Sequence, residues 1–444
     1  MGRTLQHPAR LVPLAFLAAI AVGTLLLMLP VARAGPQSAP PLAALFTATS
    51  ATCITGLVVV DTPTYWSAFG KVVILALVQV GGFGIMTLAT LLGLLVSRRL
   101  GLRSRLVAQA ETRTLALGDV RGVLARVALT MLACEAAVTV ALAARWWLGY
   151  DYPPGRALWH GLFHGISAFN NAGFALYPDN LIRYVGDGWI CVPVALAVIV
   201  GGIGFPVLFE VARELRWPRM WSTHTRITVW GSALLLVVGF LAMVAFEWNN
   251  PRTFGPLGIP DKLLAGFFQA VIPRTAGFQT IDYAAAELET VSVTTLLMFI
   301  GGGSAGTAGG IKVTTFFLLA YIIWAEVKGE PDVVVGRRRV DAGAQRQALV
   351  VALLGVAVVA VGTIALIELT DGLRLDQVYF EAMSAFSTVG LSMNLTHTLP
   401  ASAQLVLVML MFVGRVGTIT VASALALTNR RRLYRYPEER PIVG

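Results

Sequence analysis

Apolar runs of two lengths alternate along the chain, four times over. Runs of ~20 residues, long enough to cross a bilayer as a helix, occupy 11–31, 120–147, 227–246 and 348–369. Each is followed by a shorter run, at 42–54, 157–170, 262–274 and 377–387. The short runs cannot span ~30 Å as helices, so they are expected to dip into the membrane and return. Long runs then resume at 70–96, 189–211, 291–324 and 403–427. The pattern predicts an all-α integral membrane fold with eight transmembrane helices and four re-entrant pore helices. Its arrangement is fourfold pseudo-symmetric, with membrane–pore–membrane repeats around one pore. The expected repeats are 1–97, 120–215, 216–328 and 348–429, with connections at 98–126 and 329–347 and a tail at 430–444.

The short runs share a register as well as a length. They read FTATSATCITG (46–56), FHGISAFNNAG (163–173), FFQAVIPRTAG (267–277) and FEAMSAFSTVG (380–390). Each begins with Phe ten residues before a glycine, and each glycine (Gly56, Gly173, Gly277, Gly390) is followed by Leu or Phe. Three carry Ser six residues before the glycine (Ser50, Ser167, Ser384), whereas the third has Val271. The residues just before the glycines are Ile54-Thr55, Asn171-Ala172, Thr275-Ala276 and Thr388-Val389, and they share no side-chain chemistry. Such a set suits recognition by backbone. Carbonyl oxygens from several sides can replace a cation's hydration shell, and glycine permits the φ > 0 turns that side chains disfavour. Glycines that serve only close helix packing need no eleven-residue register.

The returning runs carry a second mark. Gly81-Gly82, Gly201-Gly202, Gly301-Gly302 and Gly414-Arg415 follow their own glycines by 25, 28, 24 and 24 residues. The third unit extends the mark into Gly301, Gly302, Gly303, Ser304, Ala305, Gly306, Thr307, Ala308, Gly309 and Gly310. A helix loses ~1 kcal/mol per interior glycine, so this run should be unwound. Unwound backbone at membrane depth persists only where protein or a water-filled cavity satisfies it. The run also matches G-x-G-x-x-G, but a dinucleotide site requires a βαβ unit around it, and this run lies inside a spanning segment.

Composition agrees with this reading. The chain of 444 residues is 56% hydrophobic and 13% charged, with mean hydropathy +0.73, against about a quarter charged in soluble domains. The net charge of +10 comes from arginines gathered in 98–126, 213–226, 337–346 and 430–435. That is a positive-inside pattern, which expects both termini in the cytoplasm and no nucleic-acid partner. The first run has no clear cleavage site and is expected to remain as a helix. Cys53, Cys134 and Cys191 sit in apolar surroundings and suggest neither a disulfide framework nor a metal site. No nucleophile–base pairing suggests an enzyme, and His160 and His164 lack metal-like partners.

Several single charges are informative. Arg415 takes the place of the second glycine of the mark. It either projects into the cavity below the glycine loops, against the glycine-rich run or as an electrostatic barrier, or snorkels to the interface. Lys312 either anchors the glycine-rich run or reaches water. Glu135 is expected to pair or hydrogen-bond inside the bundle. Glu381 is read as opening the fourth short helix, where a carboxylate suits the N-terminus, and Arg274 as bracing the C-terminus of the third.

Four such units, one glycine per short run and a Gly/Ser/Thr-rich break in the third returning helix resemble the Trk/Ktr/HKT superfamily of cation transporters. The likeness covers essentially the whole chain. With no extra helices before the first unit, it is most similar to the KtrB type. The resemblance implies K⁺ uptake across the cytoplasmic membrane, with Ile54, Thr55, Gly56, Asn171, Ala172, Gly173, Thr275, Ala276, Gly277, Thr388, Val389 and Gly390 forming a selectivity filter. It implies that the run from Gly301 to Gly310, with Lys312 and Arg415, forms an intramembrane gate. Glycine rather than serine at position 56 leans toward K⁺ over Na⁺. The resemblance further implies a homodimer docked on a separate cytosolic ring of nucleotide-binding, KtrA-like subunits, with no cofactor in this chain besides the transported ion. Na⁺ as coupling or activating ion stays open. A secondary transporter working by alternating access is the other class considered, but it favours paired discontinuous helices and buried carboxylates.

Overall fold

The computed structural model describes residues 8–99, 120–336 and 338–417, with side chains described for 13–84, 122–336 and 338–417. The arginine-rich stretch at 100–119, the end of the run 403–427 and the tail 430–444 lie outside the described residues.

The first quarter of the chain holds α1 (Pro8–Leu27), α2 (Pro41–Thr52), the short α3 (Thr62–Tyr65) and α4 (Ala68–Arg99). The second holds α5 (Val120–Gly149), α6 (Pro154–Phe169), α7 (Gly188–Ile203) and α8 (Phe205–Arg213). The third holds α9 (Thr223–Glu247), α10 (Ile259–Val271), α11 (Leu288–Phe299) and α12 (Val313–Lys328). The fourth holds α13 (Ala342–Leu369), α14 (Leu375–Phe386) and α15 (Ala401–Phe412), which continues as a π-helical turn over Val413–Gly417. A two-residue hairpin, Val334–Val335 against Arg338–Arg339, is a small departure from the all-α expectation.

Prolines start three of the four short helices. Pro41, Pro154 and Pro260 occupy the first positions of α2, α6 and α10, where a missing N–H costs nothing and φ is already helical. In α14 there is no such proline, and the Gln377 side chain instead accepts from the Arg374 N–H (3.3 Å) at the helix start. The short helices are buried to an unusual degree. Along α2 every residue from Phe46 to Thr52 is buried, four of them hydroxyl-bearing. A helix with polar residues on its buried faces is enclosed by protein rather than by lipid.

Packing follows one rule throughout. Each short helix lies against the long helix before it, and three also lie closely against the helix after it in their own quarter: α2 with α1 and α4, α6 with α5 and α7, α10 with α9, α14 with α13 and α15. Each second helix also packs on the short helix of the next quarter: α4 on α6, α7 on α10, α11 on α14, and α15 back on α2. The chain therefore closes on itself.

Among the described residues, three helices are singly long and apolar enough to cross a membrane, at Gly122–Gly149, Thr223–Glu247 and Ala342–Leu369. The returning run 189–211, expected to be one helix, is instead bent by 102° between α7 and α8. Gly204, at φ +96°, makes the corner. Pro206, in the first turn of α8, cannot donate to the helix before it. The returning run 291–324 is broken between α11 and α12, over the glycine-rich segment.

Candidate functional site

The four short helices end beside one another. After each, the chain takes positive φ twice: at Ile54 (57°) and Gly56 (89°), Asn171 (58°) and Gly173 (70°), Thr275 (69°) and Gly277 (69°), Thr388 (50°) and Gly390 (92°). The glycines were read from the sequence, but the left-handed residue two positions earlier was not. Nothing in an Ile or a Thr announces φ > 0, a conformation costing about 1–3 kcal/mol when surroundings impose it.

The glycines touch in a closed cycle. A methyl group placed on Gly56 would run into the carbonyl oxygen of Ala172, and one on Gly390 into that of Thr55. One on Gly173 would lie 2.8 Å from the Ala276 oxygen, and one on Gly277 2.6 Å from the Val389 oxygen. Each loop thus presses a peptide carbonyl against the glycine of the loop before it: second on first, third on second, fourth on third and first on fourth.

The register serines hold this geometry. Ser50 Oγ accepts from the Gly56 N–H (3.0 Å) and donates to the Leu57 carbonyl (2.8 Å). Ser384 accepts from the Gly390 N–H (3.1 Å), and Ser167 donates to the Phe174 carbonyl (2.8 Å). The third unit departs for a physical reason. Pro273 stops α10 early, so the Ala276 N–H reaches back to Ile272, whereas Thr55, Ala172 and Val389 each bond to the carbonyl of their serine. The fully buried ring is accordingly Phe268, one residue past the in-register Phe267, beside Phe46, Phe163 and Phe380.

Beneath the loops, the first glycine of each mark packs on the end of its own short helix. A methyl on Gly81, Gly201 or Gly414 would collide with the carbonyl of Thr52, Phe169 or Phe386. Gly301 instead meets the carbonyl of Gly309, because the glycine-rich segment folds back on itself. That segment, 300–312, is pinned at both ends: the Gly301 N–H donates to Ile311, and the Val313 N–H to Gly302.

Its middle is spliced into the bend of the second unit. In an unbroken helix the Phe205 N–H would donate to the Gly201 carbonyl. Here Phe205 donates to Ala305 (3.4 Å), while Gly201 accepts from the Thr307 N–H (3.1 Å). Pro206 leaves the Gly202 carbonyl without an intrahelical donor, and the Gly303 N–H fills it (2.8 Å). Thr307 Oγ1 also donates to Asn171 Oδ1 (2.9 Å). The run Gly-Gly-Ile-Gly-Phe-Pro at 201–206 carries this signal in the sequence.

Two adjacent residues of the third loop hold the segment from above. Thr275 Oγ1 accepts from the Gly309 N–H (3.2 Å). Arg274, expected to brace the end of α10, instead reaches Ser232 on α9 and the Gly301 carbonyl (3.2 Å). Its charge replaces hydrogen bonds the unwound strand cannot make for itself. Lys312 Nζ donates to the Ala308 carbonyl, which resolves its two readings in favour of anchoring. Arg415 is 2% exposed within the π turn, so it does not snorkel, and its Nε and Nη2 atoms have no hydrogen-bond partner among the described residues.

The remaining charges are structural. Glu135 accepts from Gln79 (3.0 Å) and Asn170 (2.9 Å) at the end of α6. Glu381 does not open its helix, which begins six residues earlier at Leu375. Its carboxylate faces the loop after Gly390, accepting from Ser392, the Met393 N–H (3.1 Å) and Thr396 (2.8 Å). His164 accepts from the Leu176 N–H (3.3 Å) and stacks on Tyr177. Above the loops, a cavity of about 330 Å³ is bordered by Gly56, Gly173 and Gly390 and by Asp61, Asp179 and Asp282.

Comparison with known proteins follows the same lines. The family model described as TrkH, cation transport protein, matches residues 5–431. Ktr system potassium uptake protein B of Bacillus subtilis (strain 168) is 39% identical over 98% of this chain and 97% of its own. The protein of the same name from Vibrio alginolyticus is 35% identical over 98% and 94%. Potassium/sodium uptake protein NtpJ of Enterococcus hirae is 33% identical over 98% and 97%. The crystal structure of the potassium transporter TrkH from Vibrio parahaemolyticus shares the fold, with TM-score 0.74 at 20% identity over 96% of this chain and 86% of that one. The chain is a member of the TrkH family of cation transport proteins, and its relatives over nearly their whole length include Ktr system potassium uptake proteins.

Proposed function

We propose that this chain is the pore-forming membrane subunit of a Ktr-type potassium uptake system, a transporter and not an enzyme. The observation that carries the reading is the closed cycle of four glycine loops, each with two left-handed residues and a carbonyl against the glycine of a neighbouring loop. Reversing φ at alternate residues turns successive carbonyls to the same side, which is what a dehydrated cation needs from a filter. The C-terminal ends of α2, α6, α10 and α14 converge below the loops, and their partial negative charge favours a cation there. The filter comprises Ile54, Thr55, Gly56, Asn171, Ala172, Gly173, Thr275, Ala276, Gly277, Thr388, Val389 and Gly390. Eight spans and four half-helices surround it with fourfold pseudo-symmetry, in the units 1–97, 120–215, 216–328 and 348–429.

The segment from Gly301 to Gly310, with Lys312, closes the path from below, and the buried guanidinium of Arg415 adds a positive charge to the closed state. The Thr307, Gly303 and Ala305 bonds to the bent helix hold it shut. Release comes from a cytosolic nucleotide-binding ring, a separate KtrA-like chain docked on a homodimer in the cytoplasmic membrane, both termini facing the cytosol. Potassium is the favoured ion on the strength of Gly56 and of the relatives' names, which include one potassium/sodium protein.

The test is rubidium-86 uptake into liposomes holding purified protein under an inward-negative potential, with K⁺ or Na⁺ as competitor. Potassium should compete far better than sodium, and Gly56→Ser should narrow the difference. Equal competition by the two ions in the unsubstituted protein contradicts the potassium assignment.

A further inference from the structure

The outer end of the glycine ring carries a residue that belongs to one unit alone. Asn180 follows Gly173 by seven residues, and the matching positions in the other units are Pro63, Ala284 and His397. It sits at φ +56° in the loop after α6, a conformation that Asn tolerates better than most side chains. Its side chain borders the outer cavity. Its Oδ1 accepts from the Gln279 N–H of the third unit (3.3 Å), and a backbone N–H can donate only to the oxygen end of the amide. The nitrogen end is thereby fixed over the ring, where Nδ2 lies 3.5 Å from both the Gly173 and the Gly277 carbonyls. An amide nitrogen has two hydrogens, one for each. The bond from Leu181 N–H to the Gln279 carbonyl (2.9 Å) holds the same two loops together behind it.

We propose that Asn180 is a specificity-determining residue at the outer mouth: its amide donates to two of the four outermost glycine carbonyls, and an entering cation must displace it. The inference rests on the filter reading above. Two consequences follow from the geometry. The donor competes with the cation for the same lone pairs, so it weakens capture at the outer site. It also holds the two carbonyls apart, which opposes their closing around a smaller ion and so disfavours Na⁺ more than K⁺. The contacts are long, so a cation with adequate remaining ligands can displace them.

Asn180→Asp and Asn180→Gly separate this role from a structural one. The aspartate keeps an oxygen for the Gln279 N–H but cannot donate to the ring. The glycine keeps the positive φ and removes the side chain without adding charge. Rubidium-86 uptake into proteoliposomes is measured for both, with Na⁺ as competitor and Gly56→Ser run in parallel. Half-saturation by Rb⁺ should fall by about threefold to tenfold in both variants, the scale of one or two weak hydrogen bonds given up, and Na⁺ should compete better. Unchanged uptake in both overturns the proposal. A change in Asn180→Asp alone also overturns it, because added charge at the mouth then accounts for the effect. If Gly56→Ser shifts the competition and the Asn180 variants do not, only this proposal fails. If none of the three shifts it, the filter reading fails as well.

Discussion

Replacing Gly204 by alanine should open the closed pathway, because the bend and the docked segment are one structure. Gly204 sits at φ +96°, ψ 138°, and a methyl group there would run into the Ser304 carbonyl. A side chain forced into so sparse a region costs about 1–3 kcal/mol. The cost is relieved if α7 continues past Gly204, because Phe205 can then donate to Gly201 within the helix. That rearrangement takes two partners from the 300–312 segment, the Gly201 carbonyl from Thr307 and the Phe205 N–H from Ala305. Shifting the docked state by about 1–3 kcal/mol raises the undocked population five- to 150-fold. The assay is rubidium-86 uptake into liposomes without any cytosolic partner, with size-exclusion behaviour and melting temperature confirming a folded protein. Thr307→Val gives an independent check, since it deletes the hydroxyl's buried bonds to Asn171 (2.9 Å) and to the Phe169 carbonyl (3.5 Å), each worth about 0.5–1.5 kcal/mol at most. Basal flux should rise in both, more in Gly204→Ala. A folded Gly204→Ala protein with unchanged or lower flux would refute the idea that the bend and the segment are linked.

Other outcomes follow from the same geometry. Ser384→Ala leaves the Gly390 N–H without its acceptor, so it should destabilise the loop by about 1–3 kcal/mol and lower the melting temperature. Val271→Ser should bring no matching gain, because Pro273 has already altered the turn there. Arg274→Gln removes the charge held against Ser232 and Gly301. It should raise basal flux as Gly204→Ala does, which uptake without the partner would reveal. Glu381→Ala strands donors from Ser392, Met393 and Thr396 at about 1–3 kcal/mol each. A melt within a degree of the parent would refute that reading.

What the sequence made legible was whatever the backbone itself demands. A glycine with φ > 0 in close contact with a neighbouring carbonyl has no substitute, so Gly56, Gly173, Gly277 and Gly390 stand out at fixed register. Six glycines within 301–310 cannot remain helical, so the break was also visible. The bend at Gly204 was equally written, in a glycine two residues before a proline, but a single apolar run of spanning length concealed it. Side-chain destinations were harder. The sequence places Arg274 near the end of α10 but says nothing of Ser232 or Gly301, which lie 42 residues before it and 27 after it. Glu381 was misplaced because α14 begins at Leu375, so the acid in its first turn is Asp376 and Glu381 lies farther along the helix. The third loop looked equivalent by letter count, yet Pro273 shortens its helix and moves the buried ring from Phe267 to Phe268. The left-handed Ile54, Thr275 and Thr388 come from the ring as a whole, and no local signal marks them, whereas Asn171 is of a type that tolerates that conformation.

The central claim is that backbone oxygens of the four glycine loops bind the transported ion, and it can be read directly. Crystals of the protein grown in rubidium or thallium salts would locate the ion by its anomalous scattering. The account expects density on the axis encircled by Gly56, Gly173, Gly277 and Gly390, coordinated by peptide carbonyls and reduced in Gly56→Ser. Density absent from that axis and found instead beside a carboxylate such as Glu135 would contradict it.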